Sequence, residues 1–265
     1  MNYVELIGYF AALIIGIVIG LFGGGGSILA VPVFVYLFHL NPVLATSYSL
    51  FVVGLSAAVG TLINIKKKLI EYKTALVFTV PALGSVFMTR RYLITNLPET
   101  IFESGLLLIT KEMALMLLFS LVIIVSALLM LKKNRLNTTQ KIKQINYNLL
   151  IVIGLGVGLL TGLVGAGGGF IIVPALVLFA ALDIKKAVAT SLIIITFNAL
   201  FGFLADVTQI DMDWSFLVIF TSVSIVGLFI GSYISNFTEE KSLKKNFARF
   251  MLLMAFLIIY NELKY

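Results

Sequence analysis

The chain consists of long apolar runs separated by short polar breaks. No Asp, Glu, Lys or Arg occurs in residues 6–65, 144–182 or 214–238. A helix that spans the hydrocarbon core of a bilayer needs about 20 apolar residues, and each of these runs exceeds that length. The pattern therefore predicts transmembrane helices. The apolar segments fall roughly at 6–22, 28–40, 43–65, 74–90, 113–131, 148–164, 170–182, 187–205, 214–235 and 248–262.

Two of these segments, 28–40 and 170–182, are unusually short. As helices they would each measure about 20 Å, whereas the hydrocarbon core of a bilayer is about 30 Å thick. We expect them either to be re-entrant or to begin part-way through the membrane. Counted with the longer segments, they predict 8–10 transmembrane segments.

The two halves of the chain share an internal repeat. Residues 20–32 (GLFGGGGSILAVP) align with residues 162–174 (GLVGAGGGFIIVP), and 7 of the 13 aligned pairs are identical. An Ala-Thr-Ser sequence at 45–47 recurs at 189–191. Such self-similarity predicts a duplicated fold with about five helical segments in each copy. The predicted organisation is an N-terminal membrane repeat (1–135), a basic cytoplasmic linker (136–147) and a C-terminal membrane repeat (148–265).

Charge placement predicts that the two repeats are inverted relative to each other. Only 12% of the residues are charged, against about 25% in soluble domains, and 60% are hydrophobic. The net charge of +7 comes from short basic runs between apolar segments, so we interpret it as a topology signal and expect no nucleic-acid partner. The basic runs at 66–73, 132–143 and 241–249 should be cytoplasmic, and the acidic stretch 206–213 should be outside. Both termini would then lie outside.

A glycine cluster precedes the start of a short helix in each repeat. The first N–H groups of a helix have no intrahelical acceptor and carry a partial positive charge, so a helix that starts inside the membrane can bind an anion. Broken helices at matching positions of two repeats are typical of a transporter's binding site. The alternative is that the glycines only permit close helix packing, which usually spaces them four residues apart. The candidate substrate-binding positions in the clusters are Gly23, Gly24, Gly25, Gly26, Ser27, Gly165, Gly167, Gly168 and Gly169.

Polar side chains early in the segment after each cluster complete the candidate site. These are Thr46, Ser47, Thr190, Ser191 and Asn198. Intramembrane Ser and Thr also bond to their own helix backbone, so that reading stays open. Because residues 6–65 and 144–182 hold no charged residue, the hypothesis is that neutral dipoles, and no countercharge, meet the charge of the anion.

The sequence gives little support for catalysis. The chain has no cysteine, which excludes disulfides, thiolate catalysis and cysteine metal sites, and it contains no HExxH motif. We therefore predict no catalytic residue, no metal site and no cofactor. An intramembrane enzyme and a non-transporting membrane subunit are the alternatives from other functional classes.

The paired glycine clusters, each followed by a proline (Pro32 and Pro174), resemble the TauE/SafE family of sulfite-exporter-like permeases, as do the repeated Ala-Thr-Ser and the chain length. The resemblance implies a permease of the bacterial inner membrane for a small sulfur-containing anion such as sulfite, sulfoacetate or a related organosulfonate. The resulting expectation is an all-α polytopic membrane protein with two inverted repeats and Gly-rich broken helices, acting as a secondary transporter surrounded by membrane lipid. Uptake of another small anion and a homodimeric assembly are kept open.

Overall fold

The computed structural model describes residues 3–94, 96–104, 107–131, 146–165, 167–207 and 211–264. The α-helices are α1 (Tyr3–Phe22), α2 (Ser27–Pro32), α3 (Pro42–Lys66), α4 (Tyr72–Met88), α5 (Lys111–Leu131), α6 (Tyr147–Val164), α7 (Gly169–Phe179), α8 (Ile184–Asp206), α9 (Trp214–Phe237) and α10 (Glu240–Lys264). A 3₁₀ turn (Gly24–Gly26) precedes α2, and π-helical turns extend α2 (Val33–Leu37) and α4 (Thr89–Ile94).

The ends of several helices follow from local capping residues. Asn41 accepts a hydrogen bond from the Val43 amide at 2.8 Å, and Pro42 occupies the first turn of α3. Proline suits that position because the amide that it lacks would have no partner there. Asn146 and Asp213 cap α6 and α9 through bonds to the third residue beyond each. These caps lie at the polar breaks from which the helices were predicted.

The all-α prediction is confirmed, with one local departure. Residues Thr100–Ser104 and Leu107–Thr110 form a short antiparallel hairpin, β1 and β2, between α4 and α5. The two predicted short helices are present: α7 has 11 residues, and α2 has six before its π-helical extension. Among the described helices, six are long and apolar enough by themselves to cross a membrane.

The surface of the bundle is apolar, and its mainly apolar interior also encloses polar side chains. Large side chains such as Phe10, Leu76 and Phe256 are about two-thirds exposed, whereas many Ser and Thr hydroxyls are buried between helices. This distribution suits a protein whose exterior contacts lipid and whose polar groups must find partners inside. The chain is a multi-pass membrane protein.

The helices pack in pairs, and matching the first five helices with the last five maps this set of pairs onto itself. The main pairs are α1 with α9, α4 with α6, α3 with α8, and α5 with α10. If α1–α5 are matched in order with α6–α10, the α1–α9 pair becomes the α6–α4 pair, while the other two pairs map onto themselves. The described packing thus has the two-fold pattern of a duplicated fold.

Glycines spaced four residues apart permit the closest of these contacts. A side chain at Gly16 or Gly20 would run into the α9 backbone, and one at Gly154 or Gly158 would run into the α4 backbone. Small residues with this spacing let transmembrane helices approach closely. Glycines outside the two clusters therefore provide the close packing of these helix pairs.

The inverted orientation of the repeats remains a prediction, and most of the predicted linker (136–147) lies outside the described residues. We expect single cysteines introduced at Lys68 and Glu240 to react with a membrane-impermeant reagent only from the cytoplasm. A cysteine at Met212 should react only from outside, since Met212 follows the acidic end of α8. The chain is naturally thiol-free, so it supplies its own unlabelled control. Labelling of all three positions from one side would refute the inversion.

Candidate functional site

The glycine clusters form two breaks in the backbone, and each requires left-handed conformations. Gly23 has a φ of 74°, and Gly165, Gly167 and Gly168 have φ values of 67°, 64° and 73°. Side chains other than glycine rarely adopt this region. The clusters therefore contain backbone conformations that favour glycine, and each is followed directly by a short helix.

The two breaks touch each other inside the bundle. A Cβ atom built on Gly24 would lie 2.5 Å from the carbonyl carbon of Gly169, and one on Gly169 would overlap the backbone of Gly24. The two backbones are thus in direct contact. This leaves no space for an anion between them, so any binding space must lie to one side or the other of the contact.

Each break also meets a hydroxyl residue of the other repeat. A Cβ atom on Gly23 would lie 2.8 Å from the Ser191 Oγ, and one on Gly165 would overlap the side chain of Thr46. The structure therefore brings predicted site residues together in two crossed pairs. The helices α3 and α8 run antiparallel, because Ser47 contacts Asp206 and Gly60 faces Leu192. The two pairs therefore lie near opposite ends of the bundle, since Thr46 and Ser191 are each near the start of their helix.

A buried ion pair lies beside the second break. Arg90, in the π-helical turn after α4, pairs with Asp206 at the end of α8, and their side chains are 0% and 8% exposed. The Arg90 Nε donates to both carboxylate oxygens at 3.1 and 3.0 Å, and its Nη2 also donates to Asp206 Oδ2. We refer to Arg90, Asp206, Thr46 and Ser47 as the Arg90 cluster.

Two hydroxyl groups, and a carbonyl in the last turn of α6 just before the second break, accept the other hydrogen bonds of the guanidinium. The Arg90 Nη1 donates to Thr46 Oγ1 at 3.1 Å and to the Gly162 carbonyl at 3.3 Å. Its Nη2 donates to Ser47 Oγ at 2.9 Å, and that hydroxyl donates to Asp206 Oδ2 at 2.5 Å. Ionised groups therefore lie beside the second break although segments 6–65 and 144–182 hold none, because the π-helical turn after α4 supplies Arg90 and the end of α8 supplies Asp206.

A polar cleft of about 190 Å³ lies at the other end of this helix pair, where α3 ends and α8 begins. Its described lining holds two lysines and no carboxylate, and the Lys67 Nζ donates to Asn236 Oδ1 at 2.9 Å. Gly20 and Val188 also line it, and the Val188 carbonyl is one of the groups that Gly23 faces. The cleft therefore reaches the first break. We call this space the lysine cleft. Its polar lining residues are Asn64, Lys67, Lys185, Ser232, Ser235 and Asn236.

The remaining predicted polar side chains divide into those that have a hydrogen-bond partner and those that have none among the described residues. Ser27 Oγ donates to the Gly24 carbonyl at 2.7 Å, and Ser191 Oγ donates to the Val188 carbonyl at 2.8 Å. Thr190 Oγ1 accepts from the Glu71 amide at 3.1 Å. Ser27 and Ser191 thus bond to nearby backbone of their own segment, which was the alternative reading, whereas Thr190 binds the backbone of a distant segment. Gly25 and Gly26 face side chains of the packed interior.

Asn198 is different because it is fully buried and neither of its amide atoms has a hydrogen-bond partner among the described residues. Thr161 Oγ1, beside Gly168, is also buried without a partner. Asn198 is on the helix face that carries Ile195 and Ala199, the neighbours of Gly167. Buried polar groups are nearly always paired, so unpaired ones beside the second break are candidates for ligand contact.

Sequence reasoning did not single out Arg90 and Thr161 as candidate site residues. Arg90 ends the apolar segment 74–90 and was therefore interpreted as its boundary. One signal was available: Arg90 and Arg91 form a basic pair on the side that the charge pattern assigns to the outside, where basic residues are disfavoured.

Comparison with known proteins gives a consistent result. The profile of the sulfite exporter TauE/SafE family matches residues 8–258. A probable membrane transporter protein of Xylella fastidiosa is 25% identical over 255 residues, covering 94% of this chain and 92% of the relative. The probable membrane transporter protein YunE of Bacillus subtilis is 27% identical over 282 aligned positions, covering 98% of each chain.

A probable membrane transporter protein of Methanocaldococcus jannaschii is 26% identical over 217 residues, covering 80% of this chain and 76% of the relative. No solved structure matches the chain. The family profile spans nearly the whole bundle, including both glycine breaks, the Arg90 cluster and the lysine cleft. The chain belongs to the sulfite exporter TauE/SafE family of membrane transporters.

Proposed function

We propose that the protein exports a small sulfur-containing oxyanion, such as sulfite or an organosulfonate, across the bacterial inner membrane. The observation that carries this proposal is the placement of anion-binding groups at both ends of α3 and α8, with the contact of Gly24 and Gly169 between them. The family name supports sulfite as the first substrate to test.

The binding groups suit an oxyanion in number and kind. The guanidinium of Arg90 and the hydroxyl of Ser47 converge on one carboxylate oxygen, as donors to a sulfite or sulfonate oxygen would. The start of α7 adds the main-chain N–H groups of Gly169 and Phe170, for which a helix supplies no acceptor, whereas those of Ile171 and Ile172 bond to the Gly168 carbonyl. A sulfur oxyanion presents up to three acceptor oxygens, so side-chain and main-chain donors can share it.

The two ends of the pathway differ in access, and this supports alternating access. At one end the Arg90 cluster is closed around its own ion pair, whereas at the other end the lysine cleft is open. About 30 Å of α3 separates Ser47 from Lys67. Movement of one helix group against the other would close the cleft and open the cluster.

The charges of the two ends favour loading from the cytoplasm. Lys67 belongs to the basic run 66–73, which is predicted to be cytoplasmic. Cationic clefts concentrate anions locally, whereas the space near the start of α3 is lined by Glu99 and Glu112 beside Lys111. An anion is thus attracted at the cytoplasmic mouth more strongly than at the outer mouth, as suits an exporter.

We expect proteoliposomes that contain the purified protein to release preloaded sulfite faster than protein-free liposomes. Lys67→Gln should raise the half-saturating sulfite concentration on the cleft side about fivefold, since a nearby unit charge in water contributes about 1 kcal/mol. Lys66→Gln is the matched control, because Lys66 precedes Lys67 but does not line the cleft.

A panel of anions compared with chloride by thermal unfolding separates transport from the alternatives. Stabilisation by sulfite together with sulfite flux supports the proposal. An absence of both would favour a membrane subunit that does not transport. Stabilisation by another anion, with flux directed inward, would favour an uptake permease.

A further inference from the structure

Burial of the Arg90–Asp206 pair costs desolvation free energy, so a contribution to stability alone is a weak explanation for its presence. The two side chains come from different helices and are almost fully enclosed. Burying a charge pair removes both groups from water, and well-packed apolar residues often replace such pairs without loss of stability. Ionisable residues inside a membrane protein usually mark a pathway for substrate or ions.

The carboxylate of Asp206 occupies the place that an oxyanion would take. Its Oδ2 atom receives hydrogen bonds from two guanidinium nitrogens and from the Ser47 hydroxyl. Charged and planar donors of this kind recognise any oxyanion of suitable size, whether it belongs to the protein or to a solute. The guanidinium is also tied to the second break through the Gly162 carbonyl.

The repeat alignment shows what the other half has at the same place. Gly158 and Gly162 meet the carbonyls of Ala82 and Val86 on α4, and their counterparts Gly16 and Gly20 meet those of Ser224 and Leu228 on α9. Matched positions of α4 and α9 thus differ by 142 residues, and this offset places Ser232 at the position of Arg90. Ser232 lies in the lysine cleft, 3.5 Å from the Lys67 Nζ, and no carboxylate is among the described lining residues there. One half thus holds a cation with an internal carboxylate, and the other holds a cation exposed in an open cleft.

We propose that Arg90 is the charged ligand for the oxyanion in its half of the pathway, and that Asp206 is an internal counter-anion which the substrate displaces. This rests on the proposed function. In the closed state Asp206 neutralises Arg90. When the oxyanion arrives, it takes the guanidinium and the Ser47 hydroxyl, and the carboxylate moves aside. When the oxyanion leaves, the carboxylate returns and closes the site.

The proposal predicts opposite effects for the two members of the ion pair. Asp206→Asn removes the competing charge but keeps the side-chain shape, so the dissociation constant for sulfite should fall at least tenfold. Arg90→Gln removes the ligand, so the dissociation constant should rise at least tenfold. Arg90→Lys, which keeps the charge but loses the two-pronged geometry, should lie between Arg90→Gln and the wild type. Sulfite titration of the purified protein, with chloride of equal ionic strength as reference, measures all three.

A purely structural ion pair predicts a different pattern. Both Asp206→Asn and Arg90→Gln would then lower the unfolding temperature, and neither would tighten sulfite binding. Weaker or unchanged binding in Asp206→Asn overturns the proposal. If Asp206→Asn yields folded protein only when sulfite is present during purification, the displacement is supported, and failure in both sulfite and chloride overturns it. An absence of sulfite binding by the wild type would instead count against the proposed function.

Discussion

Gly168→Val should abolish sulfite binding and flux while leaving membrane insertion intact. Gly168 has a φ of 73°, and a side chain there would overlap the Thr161 hydroxyl. The left-handed conformation alone costs about 1–2 kcal/mol for an ordinary residue, and more for a β-branched one, so the start of α7 must change. A loss of about 1.4 kcal/mol already weakens binding tenfold. Gly25→Val should have a similar effect, because its side chain would press on Phe247.

Two other glycines provide matched controls for these substitutions. Gly156 in α6 and Gly84 in α4 lie in regular helix and face open space, so a Cβ atom there meets nothing. Gly156→Val and Gly84→Val should bind and transport sulfite as the wild type does. Sulfite titration and proteoliposome flux measure the effects, and detergent-solubilised yield reports insertion. Wild-type affinity for sulfite in both Gly168→Val and Gly25→Val would show that the clusters serve helix packing and not anion binding.

The helices were predictable because their signal is local. The apolar runs are long and end at polar residues that cap helices, as Asn146 and Asp213 do. The glycine breaks were predictable for the same reason, since several nearly consecutive glycines cannot continue a stable helix. The repeat further predicted a break in each half of the chain, and the contact of Gly24 with Gly169 brings the two breaks together.

The composition of the site was only partly predictable, because it depends on contacts between distant segments. The alignment pairs Gly24 with Ala166 and Ser27 with Gly169, so the contact of Gly24 with Gly169 joins positions that are not repeat equivalents. Likewise, Arg90 is at the end of an apolar segment, and sequence alone does not say whether such a residue points outward or into the bundle. The π-helical turn Thr89–Ile94 and the end of α8 together decide that Arg90 points inward.

Transport should be driven by the membrane potential without a coupled cation. The described residues of the Arg90 cluster contain one cation and one carboxylate, which cancel, so the charge that crosses the membrane is that of the anion. An inside-negative potential favours anion efflux by about 2.3 kcal/mol per charge per 100 mV, which corresponds to a concentration ratio of about 50. This driving force is sufficient for export without a proton-carrying side chain.

In proteoliposomes loaded with sulfite, an inside-negative potassium diffusion potential at equal pH on both sides should accelerate sulfite efflux. Collapsing the potential with equal potassium concentrations is the control and should return the rate to its basal value. Asp206→Asn should keep this response, because in uncoupled transport Asp206 carries no proton across the membrane. A rate that ignores the potential but follows an imposed pH gradient would contradict uncoupled transport. It would indicate instead that proton movement is coupled to movement of the anion.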